Sequence, residues 1–428
     1  MSFDLLKFCG ITLILFTIIY WWSKNDEFPF LIAIFFYMTG IKRYEGIYDG
    51  EVNWVRVNYA GNADRFHFSF DHADQCLTWM LLGSILLIFT YTLSQSKKTR
   101  WLVAHDSDDF KKFILKYSDK IFYGFIFFLI FNSFFSGLAS GASSMGNSYF
   151  SMLKYAIGGF ILLLYLVWEN INYKKQAQKK IAYAALIFLA ASIAYNPNTR
   201  FTMISWMVAL TVLASRKWRI KKKARNYLIG GITFYIFISF MGAAREPSYF
   251  RNTPTEMLNI AVERATKATD ENMLDGFIML EQVYPKLLDH RYGMEHLEIF
   301  MRPIPRKLWP GKPLGGYANK LGWNDYEGGS TTGISPSLYG SFYAEGAVIG
   351  IVIFSVLYGL FFSKVFKLTA IYIDEIRWLV KGIVLASIIV ILRGGDLPGI
   401  AAFIGMSFWP VFLFIYLYRK QLKKSNER

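Results

Sequence analysis

Apolar positions in this chain come in long runs rather than in stripes. "LLKFCGITLILFTIIYWW" (5–22), "LTWMLLGSILLIFTYTL" (77–93), "IFYGFIFFLIFNSFFSGL" (121–138) and "YAIGGFILLLYLVWENI" (155–171) are almost unbroken. A helix made from such a run is apolar on every side, and each run approaches the roughly 20 residues that cross a bilayer. Runs of this kind begin near Leu5, Pro29, Leu77, Lys120, Met152, Ile181, Arg200, Tyr227, Ser341, Val380 and Ile400, so the pattern predicts about eleven membrane spans, the one after Pro29 being the shortest. The expected fold is an all-α polytopic membrane protein, a single transmembrane domain over 1–428.

Composition agrees. Of 428 residues, 54% are hydrophobic and only 18% charged, which excludes an ordinary soluble domain. The formal net charge of +16 would suit a nucleic-acid partner, but its distribution argues against one. The basic clusters "SKKTR" (96–100), "KKQAQKK" (174–180), "RKWRIKKKAR" (216–225), "KVFK" (364–367) and "RKQLKKSNER" (419–428) fall in alternate loops. The positive-inside rule places these in the cytoplasm, the N-terminus outside and the C-terminus inside. The first span lacks a basic leading region and a small-residue cleavage site, and is read as retained rather than as a signal peptide.

This topology assigns 41–76, 140–149, 196–199, 244–340 and 393–399 to the outer face. The 244–340 segment is far longer than an ordinary connection and is expected to be ordered and functional. "TPTE" (253–256) reads as a helix start, with Thr253 as cap, Pro254 in the first turn and Glu256 closing a capping box. Met273, Leu274, Phe277, Ile278, Leu280, Tyr284, Leu287 and Leu288 fall on one side of a second helix, an amphipathic face that would lie on the membrane or pack on the spans. Then comes "MRPIPRKLWPGKP" (301–313), where prolines forbid regular structure and basic residues crowd together. A Gly-rich, aromatic run follows, "GKPLGGYANKLGWNDYEGGSTTG" (311–333), a composition that lets backbone approach a ligand.

Five arginines share the outer face: Arg200, Arg245, Arg302, Arg306 and Arg393. Guanidinium offers a rigid donor fork for phosphate oxygens. Snorkelling at a span end is the alternative for any one of them. Flanking Pro and Gly favour an anion site for the set, which would suit a lipid-linked phosphate or diphosphate. Trp309, Trp323, Tyr317, Tyr326 and Tyr339 would stack on sugars, or serve as interface anchors. Glu345 is the candidate general base, with Asp396, His290, His296 and Asp325 as rivals and helix-dipole capping as the alternative role. Lys312 and His296 join the candidate substrate-binding set. Cys9 and Cys76 read as isolated thiols, although pairing is open. Asp106-Ser107-Asp108 reads as a helix cap, and Asp49 with Glu51 is the better-placed metal pair. No zinc spacing and no phosphate-binding glycine loop is present.

"MRPIPRKLWPGKP" followed by "SPSLYGSFYAEGAVIG" (335–350) resembles the bacterial Wzy-type O-antigen or oligosaccharide repeat-unit polymerases. "RFTMISWMVALTVLASRK", "MGAAREPSYF" and "ILRGGDLPG" are similar to further segments of that family. The resemblance covers roughly 195–405; earlier residues match in topology alone. Glu345-Gly346 stands where many members carry Phe-Gly. The resemblance implies a glycosyltransferase-C-like fold with a large, partly helical periplasmic loop, in the bacterial inner membrane. It implies transfer of a growing glycan from undecaprenyl diphosphate to a sugar of an incoming undecaprenyl-diphosphate-linked repeat unit at the periplasmic face. Arg245, Arg302, Arg306 and Arg393 would neutralise the leaving diphosphate, with Arg200, Lys312, Trp309, Tyr317, Tyr339 and His296 binding substrate. Implied partners are lipid-linked oligosaccharides, membrane lipids, and a flippase and chain-length regulator of the same pathway. No cofactor, metal or nucleic acid is expected. Rival readings are an O-antigen ligase acting on a lipid core, a flippase, and a metal-dependent glycosyltransferase using a lipid monophosphate sugar.

Overall fold

The computed structural model describes residues 2–48, 69–96, 107–139, 153–194, 200–244, 249, 252–267, 272–301, 304, 308–309, 311, 316–321, 335–369 and 373–426. Every regular element among them is helical. Five of these helices are long and apolar enough to cross a membrane: α1 (Phe3–Lys24), α4 (Phe70–Ser96), α10 (Ile220–Ala243), α15 (Ser337–Thr369) and α17 (Leu397–Asn426). Many of their apolar side chains point outward, among them Phe8, Leu15 and Ile19 on α1 and Leu228 and Ile229 on α10. An outward apolar surface of this extent belongs in lipid. The molecule is a multi-pass membrane protein.

The contacts sort the bundle into two ends. At one, the α1–α2 turn meets the basic segments, α2 being Phe28–Phe36. Lys223 of α10 and Lys381 of α16 (Asp374–Arg393) both pair with Glu27, and Tyr91 donates to Asp26 at 2.7 Å. Lys217, just beyond α9 (Arg200–Ala214), reaches Glu169 of α7 (Ile157–Asn170) at 3.1 Å. Lys179 of α8 (Tyr173–Ala194) reaches Asp119 of α6 (Ser118–Ala139) at 2.8 Å, and Lys367 of α15 bonds the Ser94 carbonyl. The basic runs at 174–180, 216–225 and 364–367 therefore lie together, as the loop pattern required.

The other end carries the loop elements. A π-helical turn, Tyr37–Lys42, carries α2 into α3 (Arg43–Tyr48). Tyr44 donates to Asp74 at 2.6 Å, and Lys7 pairs with Glu45. Here too lie α12 (Met273–Val283) and the start of α15, while α11 (Pro254–Lys267) packs on α10. The capping box of α11 is formed as the sequence suggested: Thr253 N–H donates to Glu256 at 2.8 Å.

Two expectations need correction. The second loop helix packs on the spans α4 and α15, one of the two placements expected, but it is buried on all sides rather than along one face: Asp275, Gly276, Met279 and Gln282 are buried along with the apolar positions. It ends at Val283, short of Leu287 and Leu288, because Pro285 cannot continue it. Its buried charged residue, Asp275, is paired. Arg43 grips Asp275 through two bonds of 2.7 and 2.8 Å, with Arg43 fully buried.

The span expected to start near Ser341 is two antiparallel arms. Gly346 and Ala347 leave helical geometry, and Ala347 takes a φ of +52°. The Phe342 ring lies 5.0 Å from that of Tyr358 and 5.4 Å from that of Phe354. A straight helix would hold residues 342 and 358 about 24 Å apart. Arm 337–345 thus folds back along 348–369, and a Cβ on Gly350 would sit 2.3 Å from the Phe342 carbonyl oxygen. Arm 337–345 is buried throughout, between α12, α4 and the α16–α17 junction. Gly83 of α4 makes room for Tyr339 there. Cys9 and Cys76 are both free.

Removing one partner of a buried bidentate pair leaves the other charge stranded. Arg43→Met should cost about 3–5 kcal/mol, while the double variant Arg43→Met, Asp275→Leu should recover most of that. Thermal unfolding of the detergent-purified variants measures both; a double variant no more stable than the single one would mean the ion pair itself, not the stranded charge, sets the loss.

Candidate functional site

The two arms of α15 meet α13 (Met294–Met301), the short helix α14 (Tyr317–Lys320) and the start of α17. Here the chain buries ionisable groups inside an otherwise apolar bundle. Glu345, the last residue of the first arm, accepts from the N–H groups of Gly293 and Glu295, the latter at 3.1 Å. Both its oxygens thus close the N-terminus of α13. Tyr292 N–H bonds the Glu345 carbonyl at 2.8 Å, and Arg291 N–H that of Ala344 at 3.2 Å, so the reversal of α15 is stitched to the start of α13. Tyr292 and Gly293 make that turn with φ of +47° and +89°, and glycine suits the second.

Glu295 repeats the device one step further. Its Oε1 accepts the Leu397 N–H at 3.1 Å, at the N-terminus of α17, and its Oε2 accepts the Tyr317 hydroxyl at 2.9 Å. It is 1% exposed. Burial pushes its carboxyl up to about 7; attraction from Lys320 and the Leu397 and Tyr317 hydrogen bonds oppose this, and repulsion from Glu345 adds to it. Burial likewise lowers the Lys320 ammonium from its usual value, against the pull of Glu295. Burial holds the Tyr317 hydroxyl far above its ordinary range, so it stays a donor. Arg291 pairs with Glu298 on the flank. A carboxyl that changes charge near neutral pH, with a phenol as fixed neighbour, can take up or release a proton during a reaction.

The sequence-derived candidates divide. Glu345, Tyr317, His296 and Arg393 come to this region, Arg393 as the last residue of α16, four positions before Leu397. The Arg393 guanidinium lies over the Phe201 ring at 4.8 Å. His296 stacks on Phe354 at 4.4 Å and faces the Tyr358 hydroxyl at 3.2 Å. Burial lowers its imidazole to about 4, so it is neutral at physiological pH and carries no charge for an anion. Tyr339 is buried against α4, with Ser84 donating to its hydroxyl at 2.8 Å, in the core rather than on a surface. Trp309 is half-buried. His290 stacks on Tyr284 at 5.8 Å, and Asp396 immediately precedes α17. Arg200 opens α9. Arg245, Arg302, Arg306, Lys312, Trp323, Asp325, Tyr326, Asp49, Glu51 and Asp106 lie outside the described residues. Asp108 falls in the first turn of α5 (Ser107–Lys116). Among the described residues no trio of His, Cys, Asp or Glu has metal-binding geometry.

Sequence reasoning passed over Glu295, Glu298, Arg291, Lys320, Arg43 and Asp275. Asp275 carried a signal, since it interrupts an apolar run, "MLDGFIML"; Arg43, beside Lys42 and Glu45 in "GIKRYEG", carried none. Glu295 carried none beyond a glycine two positions earlier. No family model, curated protein or solved structure matches this chain.

Because the folded carboxyl of Glu295 titrates above an ordinary 4.5, it favours the folded state in acid, and that contribution is lost as pH rises from about 4.5 through about 7. Glu295→Gln should remove a swing of at most roughly 3 kcal/mol across that window. Thermal midpoints of both proteins at pH 5 to 8 read it: wild type should lose ground against the variant with rising pH, and parallel curves would refute the assignment.

Proposed function

We propose that this chain is a membrane glycosyltransferase of the Wzy-type repeat-unit polymerase kind. On this reading it has about eleven spans in a glycosyltransferase-C-like arrangement, the shorter apolar helices completing the set. It sits in the bacterial inner membrane with its N-terminus outside, its C-terminus inside and the 244–340 segment in the periplasm. The observation that carries the proposal is the Glu295–Tyr317–Lys320 cluster, with Glu295 and Tyr317 buried and Arg393 ending the helix that leads into the same junction, at the end of the bundle opposite the basic runs. A proton acceptor and a guanidinium on one side of an apolar bundle are what transfer between two lipid-linked sugars requires.

In that reaction an acceptor hydroxyl loses its proton to a carboxylate and its oxygen attacks the donor's anomeric carbon. The bond from that carbon to the diphosphate oxygen breaks, and undecaprenyl diphosphate leaves with the bonding pair. Glu295 is the better base of the two glutamates, because both oxygens of Glu345 hold backbone N–H groups, whereas one oxygen of Glu295 meets only the Tyr317 hydroxyl and its carboxyl is pushed up to about 7. Arg393, with Arg245, Arg302 and Arg306, meets the charge that develops on the diphosphate. Arg200, Lys312, Trp309, Tyr317 and His296 border the sugars in this scheme, and no divalent metal takes part.

A deletion strain tests the reaction. Lipid carrying single repeat units supports a polymerase; lipid carrying none marks a ligase; an unchanged ladder removes both. Arg393→Ala, with expression confirmed, should lower elongation about 10²–10³-fold, and Arg393→Lys should rescue poorly for want of the fork. Full activity in EDTA is expected; loss restored by Mg²⁺ and abolished by Asp49→Ala would point to the metal-dependent alternative. Reporter fusions at Tyr317 and after Arg428 read the orientation, and a cytoplasmic signal at Tyr317 would overturn the scheme.

A further inference from the structure

An amphipathic helix bathed in water turns its charges outward and its apolar side chains inward. Helix α13 does the reverse. Both of its charged residues face the bundle: Glu295 is buried against the Leu397 N–H and the Tyr317 hydroxyl, and Glu298 is buried against Arg291. Its outward positions are Met294, Leu297 and Phe300, each three residues from the next, so they form one stripe. Leu297 is 52% and Phe300 80% exposed, and Leu308 beyond the helix is exposed as well. The reversed pattern has a physical cause when the surroundings are hydrocarbon. A charge must then turn inward to find a partner, while an apolar side chain can face out at no cost.

The position of α13 along the bundle agrees. His296 stacks on Phe354 at 4.4 Å and meets the Tyr358 hydroxyl at 3.2 Å, and a Cβ on Gly293 would lie 3.8 Å from the Phe354 ring. Phe354 and Tyr358 stand about 9 and 15 Å along the outer arm of α15 from its start at Val348. On the same stretch Ile349, Ile353 and Leu357 point outward. Because α15 is one of the five spans, these side chains belong against acyl chains. The stripe of α13 is therefore level with an established lipid-facing surface. The chain just before α13 has a different character: Lys286 and Asp289 are exposed, as in a water-facing segment, and the exposed Tyr292 stands between them and the stripe, a residue type that prefers the headgroup level.

We propose that α13 is set into the bilayer leaflet at the loop end, with Met294, Leu297 and Phe300 against the acyl chains and Tyr292 among the headgroups. The Glu295 cluster, on the opposite face of this helix, then lies beneath the headgroups, and the 244–340 segment is not a purely aqueous loop. A second copy of the chain is a poorer occupant of the stripe. Three side chains on a helix about 12 Å long fall far short of the roughly 800 Å² per partner that a stable protein interface buries. The proposal rests on the membrane placement of the bundle and not on the polymerase reading, and no catalysis enters its test.

The test uses the full-length chain in vesicles of phosphatidylethanolamine and phosphatidylglycerol. With Cys9→Ala and Cys76→Ala as background, nitroxide labels are attached at Leu297→Cys and Phe300→Cys. Ile353→Cys supplies the lipid-facing control at the same level, and Lys286→Cys the aqueous one. Collisions of each label are measured with oxygen, which concentrates in hydrocarbon, and with a water-soluble nickel chelate present on both sides of the membrane. Labels at 297 and 300 should match the oxygen-to-nickel ratio of Ile353→Cys and exceed that of Lys286→Cys several-fold. An unshifted thermal midpoint confirms that the labels leave the fold intact, and Met294→Cys reads the same stripe where one of them does not. Nickel collisions as frequent as at Lys286→Cys would place the stripe in water and overturn the proposal. Shielding from both reagents would overturn it too, since protein would then cover the stripe; dipolar broadening between labels would identify that protein as a second copy. A deletion strain with an unchanged glycan ladder removes the polymerase reading and leaves this result standing.

Discussion

A helix that begins inside an apolar bundle presents N–H groups that neither lipid nor hydrocarbon side chains can satisfy. This chain begins two helices in such a place, α13 and α17, and supplies a glutamate to each. Glu345 closes α13, and Glu295, itself in the first turn of α13, closes α17. The two bonds form a relay. The reversal of α15 fixes Glu345, Glu345 fixes the start of α13, and that start fixes Glu295 against α17. Losing either carboxylate would strand buried donors, at a cost of about 1–3 kcal/mol each. The placements of α13, the start of α17 and the reversal of α15 depend on this relay.

The same rule governs the other buried charges. Arg43 and Asp275 join the π-helical region to the inserted helix α12 by a bidentate pair. Asp26 and Glu27 join the α1–α2 turn to α10 and α16 through Lys223 and Lys381, with both lysines also over the Trp378 ring at 4.6 Å. Because an unpartnered charge in a medium of low polarity is costly, each pair selects one arrangement of helices from many that would bury similar apolar area. The pairs lie at opposite ends of the bundle, so they brace it at both.

Function, on the proposed reading, uses the strain between these demands. A cluster with three glutamates (Glu295, Glu298, Glu345) and two cations (Arg291, Lys320) cannot hold all its carboxylates charged without cost. Glu298 has Arg291, and Glu345 has two N–H donors. Glu295, 1% exposed and with its carboxyl pushed up to about 7, is the one whose proton becomes labile near neutral pH. Arg393 stands over the Phe201 ring and lies four residues before Leu397, whose N–H Glu295 holds.

Much of this was legible in the sequence. Apolar runs identified a membrane protein because a helix needs little beyond length and hydrophobicity to prefer lipid. The basic runs at 174–180, 216–225 and 364–367 did gather at one end, and Thr253 with Glu256 did cap a helix, since both signals are local. What the runs could not reveal was that arm 337–345 turns back at Gly346 and Ala347, because an apolar segment reads the same whether it crosses a bilayer or folds against itself. Nor could spacing separate Glu345 from Glu295. Their roles follow from which helix ends they meet, fifty residues apart and on different elements, and only packing decides that. His296 and Tyr339 were readable as polar, ring-bearing candidates at an interface; burial made one neutral and placed the other in the core. Hydrophobicity is a property of each residue and survives in the one-dimensional record. The partner of a buried charge is a property of the fold.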